Sequence, residues 1–147
     1  MDGAGLAAPQ IGEAVAAVVV EVRKTDLFPD RPESPLYQMA NPKVISASEH
    51  TEPGWEGCFS VPGLMGIVYR PRQIEVTYQD AEGRDERGMF EGYLARVIQH
   101  EVDHLQGIVF LDRMTSMQSL TTTENYARFH ASGLASDPEG AAPAQRS

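Results

Sequence analysis

The chain has 147 residues, the size of one domain, and its 41% hydrophobic and 22% charged residues make an ordinary soluble globular composition. A net charge of −9 argues against direct nucleic-acid binding and against an anionic membrane surface, and a single cysteine excludes an internal disulfide. The longest apolar run, Ala14 to Val20, is too short to span a bilayer, and Met1-Asp2-Gly3 lacks the basic start of a secretory signal, so the chain reads as cytoplasmic with no membrane role.

In chain order, residues 3 to 12 form a Gly/Ala/Pro segment, and the β-branched run Ala14 to Val22 predicts a buried strand. Residues 27 to 35 hold three prolines and several charges, which predicts a surface loop. Leu36 to Ala40 and Val44 to Ser48 read as two short strands broken at Asn41-Pro42. Cys58 falls in a small-residue turn, Glu56-Gly57-Cys58-Phe59-Ser60. Met65 to Tyr69 and Gln73 to Tyr78 follow as strands, and in the second Ile74, Val76 and Tyr78 alternate with Glu75 and Thr77. Ala81-Glu82-Gly83-Arg84 is the turn into a further strand, Arg87 to Glu91. Leu94, Val97, Ile98, Val102 and Leu105 then recur at helical spacing, and Gly107 stands where a C-terminal glycine cap is expected. Beyond it, Ile108 to Leu111 is a short apolar run and Gln118 to His130 predicts a weak helix. Residues 131 to 147, rich in Ala, Gly, Ser and Pro, read as a disordered tail. Several strands followed by one central helix predict an α+β fold with antiparallel sheets packed around that helix.

The predicted helix carries the pattern HExxH as His100-Glu101-Val102-Asp103-His104. Histidines four residues apart share one helix face with Cβ atoms about 5 to 6 Å apart, close enough for both rings to bind one cation. Glu101, rotated about 100° away, is left to carry protons. Such a triplet arises by chance in roughly one chain in 200 of this length, so the rest of the chain has to decide. A lone cysteine is more often a small buried hydrophobe than a ligand. Beside two histidines, however, Cys58 completes a set of three protein ligands and leaves the fourth position of a tetrahedral site open, the catalytic arrangement. In Gly3-Ala4-Gly5-Leu6-Ala7-Ala8-Pro9-Gln10 the small residues would let a substrate approach the backbone closely. Gln10 could then donate its amide hydrogens to a developing oxyanion. On composition alone the segment suits a frayed terminal linker equally well.

Three separated segments match one family in order: Gly3 to Gln10 as GxGxAAxQ, Glu56 to Ser60 as EGCxS, and Gln99 to Gly107 as QHExDHxxG. On these the chain resembles the peptide deformylases, and the similarity implies a catalytic domain over residues 1 to 130 followed by the tail. It implies a metal-dependent hydrolase of protein biosynthesis that removes the formyl group from the formylmethionine of newly made polypeptides and releases formate. Cys58, His100 and His104 would hold one divalent metal ion, commonly Fe(II), although Zn(II), Ni(II) and Co(II) suit the same donors. Glu101 would carry the proton, Gln10 and the backbone N–H of Phe59 would hold the oxyanion, and the peptide would pair strand-fashion near Gly5 and Gly57. Glu56 would accept a hydrogen bond from a ligand histidine, and Asp103 would pair with Arg70. The implied partners are N-formylmethionyl nascent polypeptides and, transiently, the ribosome, although the tail lacks the basic helix that some bacterial members use there.

The chain also departs from that family. The glycine-rich segment opens it, without the strand and helix that members usually carry before this point, so the resemblance is to an N-terminally shortened member. Phe59 stands where leucine is common, and Pro62 to Gly66 lacks an arginine often found there. Two other readings stay open: an HExxH zinc metallopeptidase with Glu124 as third ligand, and an inactive structural or interaction remnant of the fold.

Overall fold

The computed structural model describes residues 3–26 and 28–130, and the expected disordered tail, 131–147, lies outside the described residues. Strands β1 (Gly5–Ala7), β2 (Ala17–Val20), β3 (Tyr37–Ala47), β4 (Thr51–Cys58), β5 (Val61–Pro71), β6 (Gln73–Gln79) and β7 (Asp85–Glu91) precede helix α1 (Gly92–His104). Helix α2 (Phe110–Arg113), strand β8 (Thr121–Thr122) and helix α3 (Thr123–Phe129) follow it. The class is α+β with antiparallel sheets, as the sequence predicts. The chain divides into two compact units: residues up to Thr51 with Pro71–Ile108, and Glu52–Arg70 with the residues from Val109 on.

The first unit holds a five-stranded sheet in the order β1-β2-β3-β6-β7. Along β2 and β6 the side chains alternate with the period of a half-buried strand: Val18, Val20, Ile74 and Val76 are buried, while Val19 and Gln73 are exposed. The buried set shares one core with Met39, Phe90 and the apolar side of α1, namely Ala95, Val97, Ile98 and Val102. Burying each large aliphatic side chain is worth about 1.5–3 kcal/mol, so this core fixes α1 against the sheet. The helix ends as expected, with Gly107 at φ 74 and its N–H donating to the His104 carbonyl at 3.1 Å.

One expectation fails here. Asn41-Pro42 does not break the sheet, and β3 runs through from Tyr37 to Ala47. The pairing with β6 shifts register between Ala40 and Lys43, so the proline sits in a bulge where no ladder N–H is needed. Asn41 absorbs the irregularity at φ 50, its amide donating to Gln79 Oε1 at 3.0 Å and its backbone N–H to the Ala16 carbonyl at 2.7 Å. The first predicted strand is also shorter than read, Ala17–Val20 instead of Ala14 to Val22.

The second unit holds a three-stranded sheet in the order β4-β5-β8. Strand β4 occupies the stretch leading into the predicted turn around Cys58. The weak helix expected over Gln118 to His130 resolves into a 3-10 turn at Met117–Ser119, then β8, then α3. Ile67 on β5 donates its N–H to Ser119 Oγ at 2.9 Å, and Trp55 on β4 packs on the Tyr126 and His130 rings at centroid distances of 5.2 and 5.0 Å. Among the described residues no helix is long and apolar enough to cross a membrane.

Candidate metal centre

Every residue of α1 from Ala95 to His104 except Gln99 is buried. Its polar side is therefore withdrawn from water along with its apolar side, which charged and polar side chains resist unless they are paired or hold a ligand. Gln99 bridges the helix to the chain before it, donating to the Pro71 and Ala95 carbonyls at 3.1 Å each. The His100 and His104 rings lie 5.0 Å apart and nearly perpendicular. Glu101 is only 4% exposed, with Oε1 3.9 Å from His104 Nε2.

The glycine-rich segment closes on that carboxylate. A Cβ built on Gly5 would come within 2.7 Å of Glu101 Oε2, so only a residue without a side chain lets β1 lie this close. The next turn fixes Gln10, whose Oε1 accepts from the Ala7 N–H at 2.9 Å. Because the carbonyl end of the amide is engaged there, its Nε2 end faces away from the Ala7 backbone. Gly12, at φ 83, ends this turn with its N–H on the Pro9 carbonyl at 3.2 Å.

Cys58 is the last residue of β4, and its Sγ accepts from the Ser60 N–H at 3.4 Å. Alternation along the strand puts Glu56 on the same face as Cys58, and Trp55 and Gly57 on the other. On the first face Arg70 of β5 turns its guanidinium fork to Glu56, with Nε at 2.8 Å and Nη2 at 2.9 Å from the two carboxylate oxygens. Both side chains are almost fully buried, and a bidentate pair of this kind fixes geometry as well as charge. On the second face the Met65 sulfur occupies the space a Gly57 side chain would take.

Cys58, in the second unit, and His100 and His104, in the first, are the candidate metal ligands, each offering one ligand atom. One thiolate and two imidazoles suit a divalent transition metal and leave a fourth position for a reacting molecule. Glu124, the third ligand of the metallopeptidase alternative, is exposed in the first turn of α3. Phe59, assigned a role through its backbone, exposes its side chain. Two contributors carry no local signal in the sequence: the Arg70–Glu56 pair joins residues on different strands, and Met65 matters only because a glycine faces it. Val97 and Ile98 lie within the core of the first unit.

Residues 1–120 match the family model described as polypeptide deformylase. Peptide deformylase 2 of Nostoc sp. is 39% identical over 125 residues, covering 85% of this chain and 70% of that protein. The peptide deformylase of Thermosynechococcus vestitus is 44% identical over 119 residues, covering 81% of this chain and 61% of its own length. Among solved structures, the Met-Ala-Ser-bound class I type b peptide deformylase from Acinetobacter baumannii superposes with a TM-score of 0.75 at 39% identity, over 76% of this chain and 70% of that one. The enzyme from Synechococcus elongatus in complex with actinonin gives 0.67 at 41% identity, over 78% and 58%. With the family's helix, thiolate segment and glycine-rich segment all in place, the chain belongs to the polypeptide deformylase family.

Proposed function

We propose that the chain hydrolyses the formamide bond of N-formylmethionyl peptides, with Cys58, His100 and His104 holding one divalent cation, Fe(II) by preference. The observation that carries this is a donor set of one cysteine and two histidines in a chain that matches the family model over residues 1–120. A cation held by them supplies a lowered water pKa and a polarised formyl carbonyl. The buried Glu101 carboxylate takes the proton from the attacking water and returns it to the departing amine, a role typically worth 10² to 10⁴ in rate. Water oxygen bonds to the formyl carbon, the C–N bond breaks, and formate and a free N-terminus leave. The Gln10 Nε2 and the Phe59 backbone N–H are the donors for the oxyanion. Backbone at Gly5 and Gly57 pairs with the peptide, and both positions lack a side chain that would obstruct it. The substrates are nascent polypeptides that still carry formylmethionine, which places the work beside translation in the cytoplasm.

The test is formate release from formyl-Met-Ala-Ser by the 147-residue chain, prepared anaerobically with Fe(II), Ni(II) or Zn(II), alongside Glu101→Gln. The expected outcome is turnover by the parent and a loss of about 10² to 10⁴-fold in the variant with metal content unchanged. A parent chain that binds one metal ion yet releases no formate would overturn the assignment.

A further inference from the structure

The strand that ends in Cys58 is gripped from both faces, and the grip on the face away from the thiolate is of an unusual kind. At Gly57 no side chain exists, yet its space is filled: a Cβ there would overlap Met65 Sδ and lie 3.5 Å from Met65 Cε. Met65 is buried, at 7% exposure, and its backbone is held in turn by pairing with Thr121 of β8. An unbranched thioether is the side chain best able to conform to such a gap. The Leu64 carbonyl also stands 3.2 Å from the same Cβ position, so the backbone of β5 follows Gly57 closely on this side. A chain of contacts therefore runs from β8 through Met65 to the residue preceding Cys58.

We propose that Met65 is a positioning residue for the metal- and peptide-binding strand, its thioether occupying the side-chain space at Gly57 and so setting where the Gly57–Cys58 backbone lies. The effect on peptide binding rests on the deformylase reading above, whereas the effect on the Cys58 thiolate does not. Removing the thioether frees Gly57 to move by the width of the gap. Adding a methyl group at Gly57 sets it against the thioether as well as the Leu64 carbonyl, and removing the thioether relieves the first of these contacts. The two substitutions are thus expected to compensate each other, which independent packing defects do not.

The experiment compares Gly57→Ala, Met65→Ala and the double variant in the full chain. Three readouts apply: the thermal midpoint without metal, the thiolate-to-cobalt charge-transfer absorption after loading with Co(II), and KM and kcat on formyl-Met-Ala-Ser. Met39→Ala, in the core of the first unit, serves as a packing-loss control. Gly57→Ala is expected to lower the midpoint and shift the absorption, and the double variant to recover both, with kcat/KM about tenfold above Gly57→Ala alone. Met65→Ala is expected to raise KM more than it lowers kcat and to shift the absorption, whereas Met39→Ala lowers the midpoint alone. If Gly57→Ala does not fold, a folded double variant supports the proposal and an unfolded one overturns it. A double variant no better than Gly57→Ala, or a Met65→Ala that behaves like Met39→Ala, also overturns it. Should the parent bind Co(II) without releasing formate, the deformylase reading fails while the midpoint and the absorption still decide the role of Met65.

Discussion

Each unit secures its own candidate site residues in its own way. In the first, His100, Glu101 and His104 ride on a thirteen-residue helix whose other side is locked into an aliphatic core by Val97, Ile98 and Val102. In the second, Cys58 ends a strand secured by one buried ion pair, one thioether set against a glycine, and the Trp55–Tyr126–His130 ring cluster. Hydrophobic burial is non-directional, whereas a forked ion pair fixes the orientation of both partners. The histidines therefore rest on the aliphatic core of the first unit, and Cys58 on a strand whose polar and ring contacts are backed by the buried Ile67, Val68 and Phe110 of the second.

That contrast can be broken from either side. Glu56→Gln should have the largest effect, because breaking a buried ion pair from one side costs about 3–5 kcal/mol. Chemical denaturation should show it, and the fluorescence of Trp55, the single tryptophan, should report it earlier than circular dichroism at the helix wavelength. Coincident loss of both signals would mean that the units do not differ in the way described. Ile98→Ala should cost about 2–5 kcal/mol through loss of burial and a residual cavity. Here helix signal and metal content should fall together.

Gly5→Ala should act on chemistry more than on stability. The added Cβ displaces the Glu101 carboxylate, and kcat is expected to fall by about 10- to 100-fold, part of the 10² to 10⁴ that a positioned proton carrier supplies. Unchanged kcat would show that the close approach of β1 is incidental. The smallest effect belongs to the turn after β6. Asp80 is held below the usual carboxylate range by the Arg84 backbone N–H, helped by the Arg84 side chain and the Glu82 backbone N–H. A depressed carboxyl contributes stability above its unfolded pKa and loses it as pH falls through the folded value. Titration of Asp80→Asn against the parent should thus show a small difference at neutral pH that vanishes in acid. Because Arg84, which pairs with Asp80, is exposed to solvent, the difference should also fade with salt.

How much of this was legible in the sequence follows the same division. Helix α1 announces itself because Leu94, Val97, Ile98, Val102 and Leu105 repeat at 3.6 residues and a glycine stands past the end. The pairing of His100 and His104 on one helix face was legible because their spacing is helical. Strand β4 was not, since Pro53, Gly54 and Gly57 leave Trp55 as its only large apolar side chain and tertiary pairing overrides propensity. The proline at position 42 misled for a related reason, as a bulge supplies the missing donor site without ending the strand. The Arg70–Glu56 pair spans fourteen positions across two strands, and no local periodicity could reveal it.

Strand β8 is two residues long, yet it closes the sheet to which β4 and β5 belong. It is also made late. The ribosome must finish everything from Pro71 to Leu120 before Thr121 can reach Met65, and at about 5–20 residues per second that is a wait of several seconds. In that interval β5 presents an open edge, the kind of edge on which nascent chains pair wrongly with one another. The five-stranded sheet and α1 have no such dependence, because all of their residues precede α2. Synthesis therefore delivers the histidines on a finished scaffold and leaves the segment carrying the thiolate to be completed last, when its short outer strand arrives.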